Sequence, residues 1–392
     1  MLSQIFLIFV IAILAIPVAV FAIQVLAALA YSTKPLLPSI NQSLRLAILM
    51  PAHNESLVIA ETIKNLASAL DSASQLLVVA DNCTDETANI ARNLGAAVIE
   101  RQHKTLRGKG YALDYGLKYL RKSPPDVVIV IDADCIVQAD AIAQLASACI
   151  NYQRPIQALY LMQNQFNPSL KQRIAAFAWL VKNYVRPLGF HQLGLPCQLM
   201  GTGMAFLWQD ISAINLASGY IAEDMKMGVD LARIKKAPIF LPQALVTSTF
   251  PLDQGATKTQ RARWEHGHLS VITSDAPSLF IEAIATRNMQ MFALGLDLIV
   301  PPLSVLILIC CFVFLVSISL YQIASLSLSF VYASSLIIVL FIMVLIAWAF
   351  FGRHIISLNQ LCYAPIYALI KIPLYIKFFV SRQAEWVRSK RD

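Results

Sequence analysis

The chain has 392 residues, of which 57% are hydrophobic and only 14% charged, with a formal net charge of +8. Soluble domains carry about 25% charged residues, so this balance excludes an ordinary water-soluble protein. The positive excess suits anionic lipid headgroups or a diphosphate, whereas no basic, aromatic-studded motif supports a nucleic-acid partner.

Residues Leu2 to Tyr31 form an apolar run without Lys, Arg, Asp or Glu. About 20 such residues span a bilayer. A cleaved signal peptide would need a basic start and a shorter apolar core, so segment 1–32 is expected to be an uncleaved N-terminal transmembrane helix. Lys34 and Arg45 follow it, and the positive-inside rule then places the next domain in the cytoplasm at the cell (inner or plasma) membrane. The seven cysteines, Cys83, Cys135, Cys149, Cys197, Cys310, Cys311 and Cys362, show neither a C-x-x-C pair nor Cys/His ligand spacing. A reduced cytosolic face without disulfides or zinc is the plain reading.

Over 45–274 the pattern changes to apolar strands alternating with amphipathic helices. Arg45–Pro51 reads as a strand, followed by a helix with Ser56 as its N-cap. Gln75–Ala80 is a second strand, Asp85–Gly95 a helix, Ala96–Glu100 a third strand and Arg107–Arg121 a helix. Val127–Ile131 is a β-branched run typical of a buried strand, and Asp132 and Asp134 stand where it ends. The alternation predicts an α/β domain with a parallel sheet covered on both faces. Ile156–Met162 is another strand. Leu170–Arg186 is a basic amphipathic helix that fits either a membrane surface or a core. Gly201–Thr202–Gly203 precedes the strand Met204–Trp208, Glu223–Asp224 opens a helix running to about Lys235, and Gln260 to Trp264 lie on a further helix.

Beyond it, Pro302–Tyr321 and Ala324–Phe351 are long enough to span, so 301–352 is expected to hold two transmembrane helices. The segment 278–300 contains Glu282, Arg287 and Asp297. A carboxylate at a span centre costs about 2.5–3.5 kcal/mol, so this segment is expected to be interfacial. Segment 361–392 reads as interfacial or re-entrant, with a basic tail. The expectation is three spans, with a fourth open.

Paired carboxylates beyond a strand end suit a hard divalent cation that keeps phosphate oxygens as ligands. A haloacid-type phosphatase also starts with Asp-x-Asp after a strand, but it needs Thr two residues past the second Asp, where Ile136 stands. Glu223 and Asp224 stand side by side at a helix start. Both would feel the helix N-terminus; the bland alternative is that they merely cap the helix. Lys109, between two glycines, suits a backbone close to a phosphate or a solvated surface. Glu55 suits ribose hydroxyls or a helix-start charge, and Asp85 suits an N-cap.

In order, Pro51–Ala52–His53–Asn54–Glu55, Asp81–Asn82–Cys83–Thr84–Asp85, Gly108–Lys109–Gly110, Asp132–Ala133–Asp134, Glu223–Asp224 and Gln260-x-x-Arg263–Trp264 resemble the motifs of family 2 glycosyltransferases. The resemblance is to the membrane-embedded branch with cellulose, chitin, hyaluronan and poly-N-acetylglucosamine synthases and ceramide glucosyltransferase. It implies a GT-A fold, a Rossmann-like mixed sheet, inserted as a cytosolic domain between the N-terminal and C-terminal transmembrane helices. It implies a nucleotide-sugar donor, UDP-linked, and inversion at the anomeric carbon. Pro51, His53, Glu55 and Asp81 would then hold the nucleoside, and Lys109, Asp132, Gln260 and Arg263 the donor's remainder. Asp132 and Asp134 would hold Mg2+ or Mn2+, and Asp224 would be the base. Gly201, Thr202, Gly203, Glu223 and Trp264 would face a saccharide or lipid acceptor. Ala222 departs from the Thr often found before the acidic pair. Arg261 suits a diphosphate or a lipid headgroup, and His266 and His268 suit packing or acceptor contacts.

The expected activity is sugar transfer to a saccharide or lipid-linked acceptor in envelope or exopolysaccharide synthesis, with a glycolipid synthase as the alternative. Three spans enclose a polymer tunnel only by forming a homo-oligomer or recruiting partner synthesis proteins. A non-catalytic scaffold binding nucleotide sugar would lack the base or the metal pair, and a transporter would need more spans.

Overall fold

The computed structural model describes residues 2–32, 44–70, 74–163, 167–250, 254–324 and 327–380. Lys34 and the basic tail beyond residue 380 lie outside the described residues. The chain divides into two compact units.

The first unit comprises Met1–Tyr31, Phe166–Gly194 and Gly295–Arg382. Among the described residues, four helices are long and apolar enough to cross a membrane: Gln4–Leu29, Leu303–Ile323, Ser327–Gly352 and Leu358–Phe378, with mean hydropathies of 3.2, 3.0, 2.8 and 1.3. The last is broken into Leu358–Leu361, Ala364–Ile370 and Ile372–Val380, and Pro365 and Pro373 stand near the breaks. The helix Leu170–Leu180 starts at Ser169, whose side chain forms a capping box with Gln172. It continues through a wider turn, Val181–Val185, into Arg186–Gln192, six residues past the end expected from the sequence. Gly189 explains how closely it approaches the N-terminal helix: a Cβ there would lie 1.9 Å from the Gln24 carbonyl oxygen.

Three polar side chains are buried at that crossing. Arg186 Nη2 lies 2.8 Å from Asp297 Oδ1 and donates to the Asp297 carbonyl at 2.7 Å. Arg186 Nε donates to Gln24 Oε1 at 3.0 Å, and Gln24 Nε2 donates to Asp297 Oδ1 at 2.6 Å. A charge in apolar surroundings is tolerable only with such partners, so this triad fixes three distant stretches of chain to one another.

The second unit comprises Ser32–Gln165, Leu195–Leu294 and Gln383–Asp392. Its sheet has eight strands: β1 Leu46–Ala52, β2 Gln75–Asp81, β3 Ala97–Arg101, β4 Val127–Val130, β5 Ile136–Val137, β6 Ile156–Gln163, β7 Met204–Leu207 and β8 Ile239–Thr249. The spatial order is β3-β2-β1-β4-β7-β6-β8-β5. The first four in that order are parallel, as the alternation of strand and helix demands. Beyond them the sheet turns mixed, as the family resemblance implies. β7 runs antiparallel to β4 and β6, and β5 antiparallel to β8, giving a mixed sheet. The reversal has a direct consequence: Val130 pairs with Met204, so the segment entering β7 lies at the edge where β4 ends. β6 and β8 are mutually parallel, run in the direction of β4 and start level with its end.

The carboxyl ends of the parallel strands β1, β2 and β4 and the start of β7 therefore lie on one side of the sheet. One apolar cluster holds the sheet face. Leu49, Val79, Val128, Val130, Met204 and Phe206 pack with Leu113 and Leu117 of the helix Lys109–Leu120 and with Met227 and Leu231 of the helix Glu223–Arg233. Sharing that cluster brings the two helix starts to the same edge. The segment expected to be interfacial forms two short helices, Ala276–Ala285 and Met289–Leu298, separated by Thr286–Asn288 with Arg287 in the left-handed region at φ 52°.

Replacing Arg186 by Met leaves the Asp297 carboxylate buried without its cation. We expect a loss of about 3–5 kcal/mol, read as a lowered melting temperature of the full chain in detergent. Adding Asp297→Leu should recover most of it; a lone Arg186→Met variant that melts like the parent would contradict the clamp.

Candidate active site

Lys109 is the first residue of its helix, after Gly108 at φ 128°. Its ammonium forms an ion pair with Asp132 Oδ1, donates to the Gly201 carbonyl at 2.8 Å and lies 3.9 Å from Glu223 Oε1. Burial disfavours the ammonium, but the charges of Asp132, Glu223 and Asp224 outweigh it, and Lys109 is held above its ordinary range. Gly110 allows the approach: a Cβ there would sit 2.6 Å from the Leu216 carbonyl oxygen and 3.7 Å from Glu223 Cβ.

Glu223 and Asp224 open their helix, as the sequence indicates. Asp224 Oδ1 accepts from the Met225 backbone N–H at 2.9 Å. A Cβ on Gly201 would lie 3.5 Å from Asp224 Oδ2 and 3.6 Å from Lys109 Nζ, so acid and ammonium face the same loop. Burial first, then the Asp224 charge, raise the Glu223 carboxyl while Lys109 lowers it, leaving it pushed up to about 7.

Asp132 and Asp134 leave β4 in different directions of contact. The Asp132 backbone N–H donates to Thr202 Oγ1 at 3.0 Å. Asp134 Oδ2 accepts from Ser248 Oγ at 2.8 Å, and its Oδ1 lies 3.7 Å from Cys135 Sγ. No group of three or more His, Cys, Asp or Glu residues forms a metal cage among the described residues. Two carboxylates alone suit a hard cation whose other ligands are water and phosphate oxygens.

A second cluster sits at the ends of β1 and β2. His53 Nδ1 donates to the Asp81 carbonyl at 2.6 Å. Arg101 Nη1 pairs with Asp81 Oδ1 at 2.5 Å, and Asn82 Nδ2 donates to the same oxygen at 3.0 Å. Asn54 and Asn82 adopt left-handed φ of 55° and 52°, which Asn tolerates better than most residues. Pro51 lies within β1, opposite Val79. The Glu55 backbone N–H donates to Thr87 Oγ1 at 2.8 Å.

Ser56 is not an N-cap. The helix begins at Ile59 after Val58, and the Ser56 N–H donates instead to Asp85 Oδ2 at 3.2 Å. Asp85 Oδ1 accepts at 3.0 Å from the N–H of Thr87, the first residue of a helix whose N-cap position is Glu86 rather than Asp85. Burial works against ionised Asp85, but hydrogen bonds from Thr87 and Ser56 outweigh it and hold its carboxyl low.

Gln260, Arg263 and Trp264 lie on the helix Gln254–Ser274. They precede Gly267 by seven, four and three residues, which is one helical face. A Cβ on Gly267 would meet Ala222 Cβ at 3.1 Å, so this helix crosses against the residue that precedes Glu223. Gln260 Oε1 is buried and finds no hydrogen-bond donor among the described residues. Arg261 stacks over the Phe250 ring at 5.8 Å, and His266 and His268 are buried.

The structure thus brings Lys109, Asp132, Glu223, Asp224, Gly201 and Thr202 together, and groups His53 with Asp81. Sequence reasoning missed Arg101, whose strand β3 lies three strands from β4 and carries no motif, and Ser248, near the end of a strand not expected at all. Gln157 was also missed. Wholly buried, it clamps the loop before β7, donating to the Thr202 carbonyl at 2.9 Å and accepting from the Met200 N–H at 2.8 Å.

Fold and site define an α/β domain that collects acidic groups, a half-buried lysine and two helix N-termini at one sheet edge, flanked in sequence by apolar helices. Residues 44–267 match the family described as Glycosyltransferase like family 2. That match covers more than half of the chain, and the chain belongs to this family. Among curated relatives, it is 26% identical over 249 residues to the probable glycosyltransferase YdaM of Bacillus subtilis, covering 58% of this chain and 56% of that protein. It is 23% identical over 290 residues to a poly-beta-1,6-N-acetyl-D-glucosamine synthase of Staphylococcus aureus, covering 67% and 63%. The chain therefore spans less than two thirds of the length of these relatives. Among solved structures it resembles a mannosyltransferase from Pyrobaculum calidifontis in complex with GDP-Man and Mn2+, at 16% identity and a TM-score of 0.49, covering 93% of this chain and 94% of that one.

In metal-free protein, folded Glu223 keeps a proton that the unfolded chain releases between its ordinary 4.5 and about 7. Stability is therefore expected to fall as pH rises through that window. Glu223→Gln should flatten the fall, measured as melting temperature against pH; identical profiles for parent and variant would contradict the assignment.

Proposed function

We propose that the protein is a membrane-bound inverting glycosyltransferase that moves a sugar from a nucleoside-diphosphate donor, UDP-linked, to a saccharide or lipid-linked acceptor at the cytosolic face of the cell membrane. The observation that carries this reading is the position of Lys109, which joins the carboxylate after β4 to the acidic helix start and to the loop before β7. A leaving diphosphate, an acceptor hydroxyl and a proton acceptor have to meet in such a place. The poly-N-acetylglucosamine synthase among the relatives supports a saccharide chain as acceptor. The modest number of apolar helices supports a lipid-linked one.

In this reading, Asp81 and Arg101 hold the nucleobase edge and His53 and Glu55 the nucleoside, beside β1 and β2. Asp132 and Asp134 would hold Mg2+ or Mn2+, which supplies positive charge to the diphosphate oxygens. Lys109 and Arg263 add donors to the same oxygens, and the starts of the helices Lys109–Leu120 and Glu223–Arg233 favour negative charge there. Asp224 takes the proton of the acceptor hydroxyl as that oxygen bonds to the anomeric carbon. The bond from that carbon to the diphosphate breaks on the opposite side, and the electron pair leaves with the nucleoside diphosphate. Trp264 offers a flat apolar face to a sugar ring. The raised Glu223 carboxyl keeps the charge beside Asp224 low near neutral pH.

Asp224→Asn is expected to lower transfer by about 10²–10⁴-fold while donor binding is retained. The check is nucleoside diphosphate release from a panel of nucleotide sugars with Mn2+ and lipid acceptors present, alongside donor binding by calorimetry. Turnover equal to the parent's would remove Asp224 as base, and release from no donor by the parent would remove the enzyme reading.

A further inference from the structure

We propose that Thr202 is a positioning residue through which the loop before β7 sets the geometry of the Asp132–Asp134 carboxylate pair. The inference rests on the glycosyltransferase reading and deepens it: it says how the acceptor-side loop and the donor's cation site are coupled.

Thr202 is wholly buried between two glycines in the left-handed region, Gly201 at φ 91° and Gly203 at φ 65°. Both glycines are buried as well, so the loop packs tightly around a single hydroxyl. That hydroxyl serves as acceptor and donor at once. It accepts from the Asp132 N–H at 3.0 Å and donates to Cys135 Sγ at 3.5 Å. The Cys135 thiol, also wholly buried, donates onward to Asp134 Oδ1 at 3.7 Å. One side chain thus reaches both acids, one through its backbone and one through a thiol.

The loop itself is held stiffly. Gln157 grips it on both sides of Gly201. The Gly203 N–H donates to the Val130 carbonyl at 2.9 Å, and its carbonyl accepts from the Ala158 N–H at 2.8 Å. Lys109 holds the Gly201 carbonyl from the solvent side. Gly203 has no room to do otherwise, since a Cβ would stand 2.7 Å from Ala158 Cβ. In such a packed frame, a displacement of the loop is passed to the Asp132 backbone rather than absorbed. Groups that orient ligating carboxylates change metal affinity by roughly 10–100-fold when removed. By linkage, whatever contacts the loop then alters cation and donor affinity, and the cation alters affinity at the loop.

The test uses the full chain in detergent and the Mn2+ concentration that half-saturates binding of UDP, followed by calorimetry. Thr202→Val keeps the shape and removes the hydroxyl, and should raise the Mn2+ requirement about tenfold. Thr202→Ser restores the hydroxyl and should return it to within about twofold of the parent. Cys135→Ala cuts only the branch to Asp134 and should give a smaller rise in the same direction. A merely structural role would lower the melting temperature without moving the Mn2+ requirement, and that result overturns the proposal. So does a Thr202→Ser variant as impaired as Thr202→Val. If Thr202→Val yields no folded protein, an unchanged Mn2+ requirement in Cys135→Ala overturns the proposal alone. A parent that binds neither UDP nor GDP with Mn2+ defeats the glycosyltransferase reading and this inference together, whereas a parent that binds normally beside unaffected variants defeats only this inference.

Discussion

Lys109 is a half-buried cation held by carboxylates from two separate parts of the chain, Asp132 after β4 and Glu223 at a helix start, with the Asp224 charge nearby. Neither side is tolerable alone. Three acids crowded at a sheet edge would repel one another and shed charge, and an unpaired buried ammonium would be deprotonated or expelled. Together they fix the relative position of the two helix starts and of the Gly201 loop to within a hydrogen bond. In the proposed reading, an incoming diphosphate would take over the donors that the acids now occupy.

The sheet makes this meeting possible. Parallel strands bring β1, β2 and β4 to one edge with their carboxyl ends, which supplies Pro51 to Asp81 and the Asp132–Asp134 pair. A loop entering a strand can reach that edge only if the strand runs the other way. β7 does so, and its antiparallel pairing with β4 delivers Gly201 to Gly203 beside Asp132. β8 then returns parallel to β6 and ends at Ser248, against Asp134. The parallel half brings His53 and Asp81 together, and the antiparallel β7 brings Thr202 to Asp132.

Much of this was legible in the residues. Val127–Ile131 followed by two acids marks a buried strand with a polar end, and Gly108–Lys109–Gly110 marks a close backbone approach; both stand at the site. The start of the helix at Glu223 was also readable from its acidic first turn. What escaped has physical causes. β8 carries Pro242 and a register shift where β6 passes from Ala158 to Leu159, so its alternation is broken and it does not read as a strand. The direction of β7 is a tertiary property, absent from four apolar residues. Ser56 has the chemistry of a cap, but Asp85 captures its backbone N–H, and a contact 29 residues away leaves no local trace. The close approach of Gly189 to Gln24 and the pairing of Arg186 with Asp297 are equally long-range. An arginine on an apolar helix signals only that a partner must exist.

The account stands on the claim that Lys109 marks the diphosphate site and Asp224 the opposite face of the sugar. The most direct measurement is an experimental structure of the full chain with an intact nucleoside-diphosphate sugar and Mn2+. The account predicts the diphosphate against Lys109 and the Asp132–Asp134 pair, with the Asp224 carboxylate facing the anomeric carbon from the side away from the leaving oxygen. A nucleotide bound away from Lys109, or Asp224 on the same side as the leaving oxygen, would contradict it.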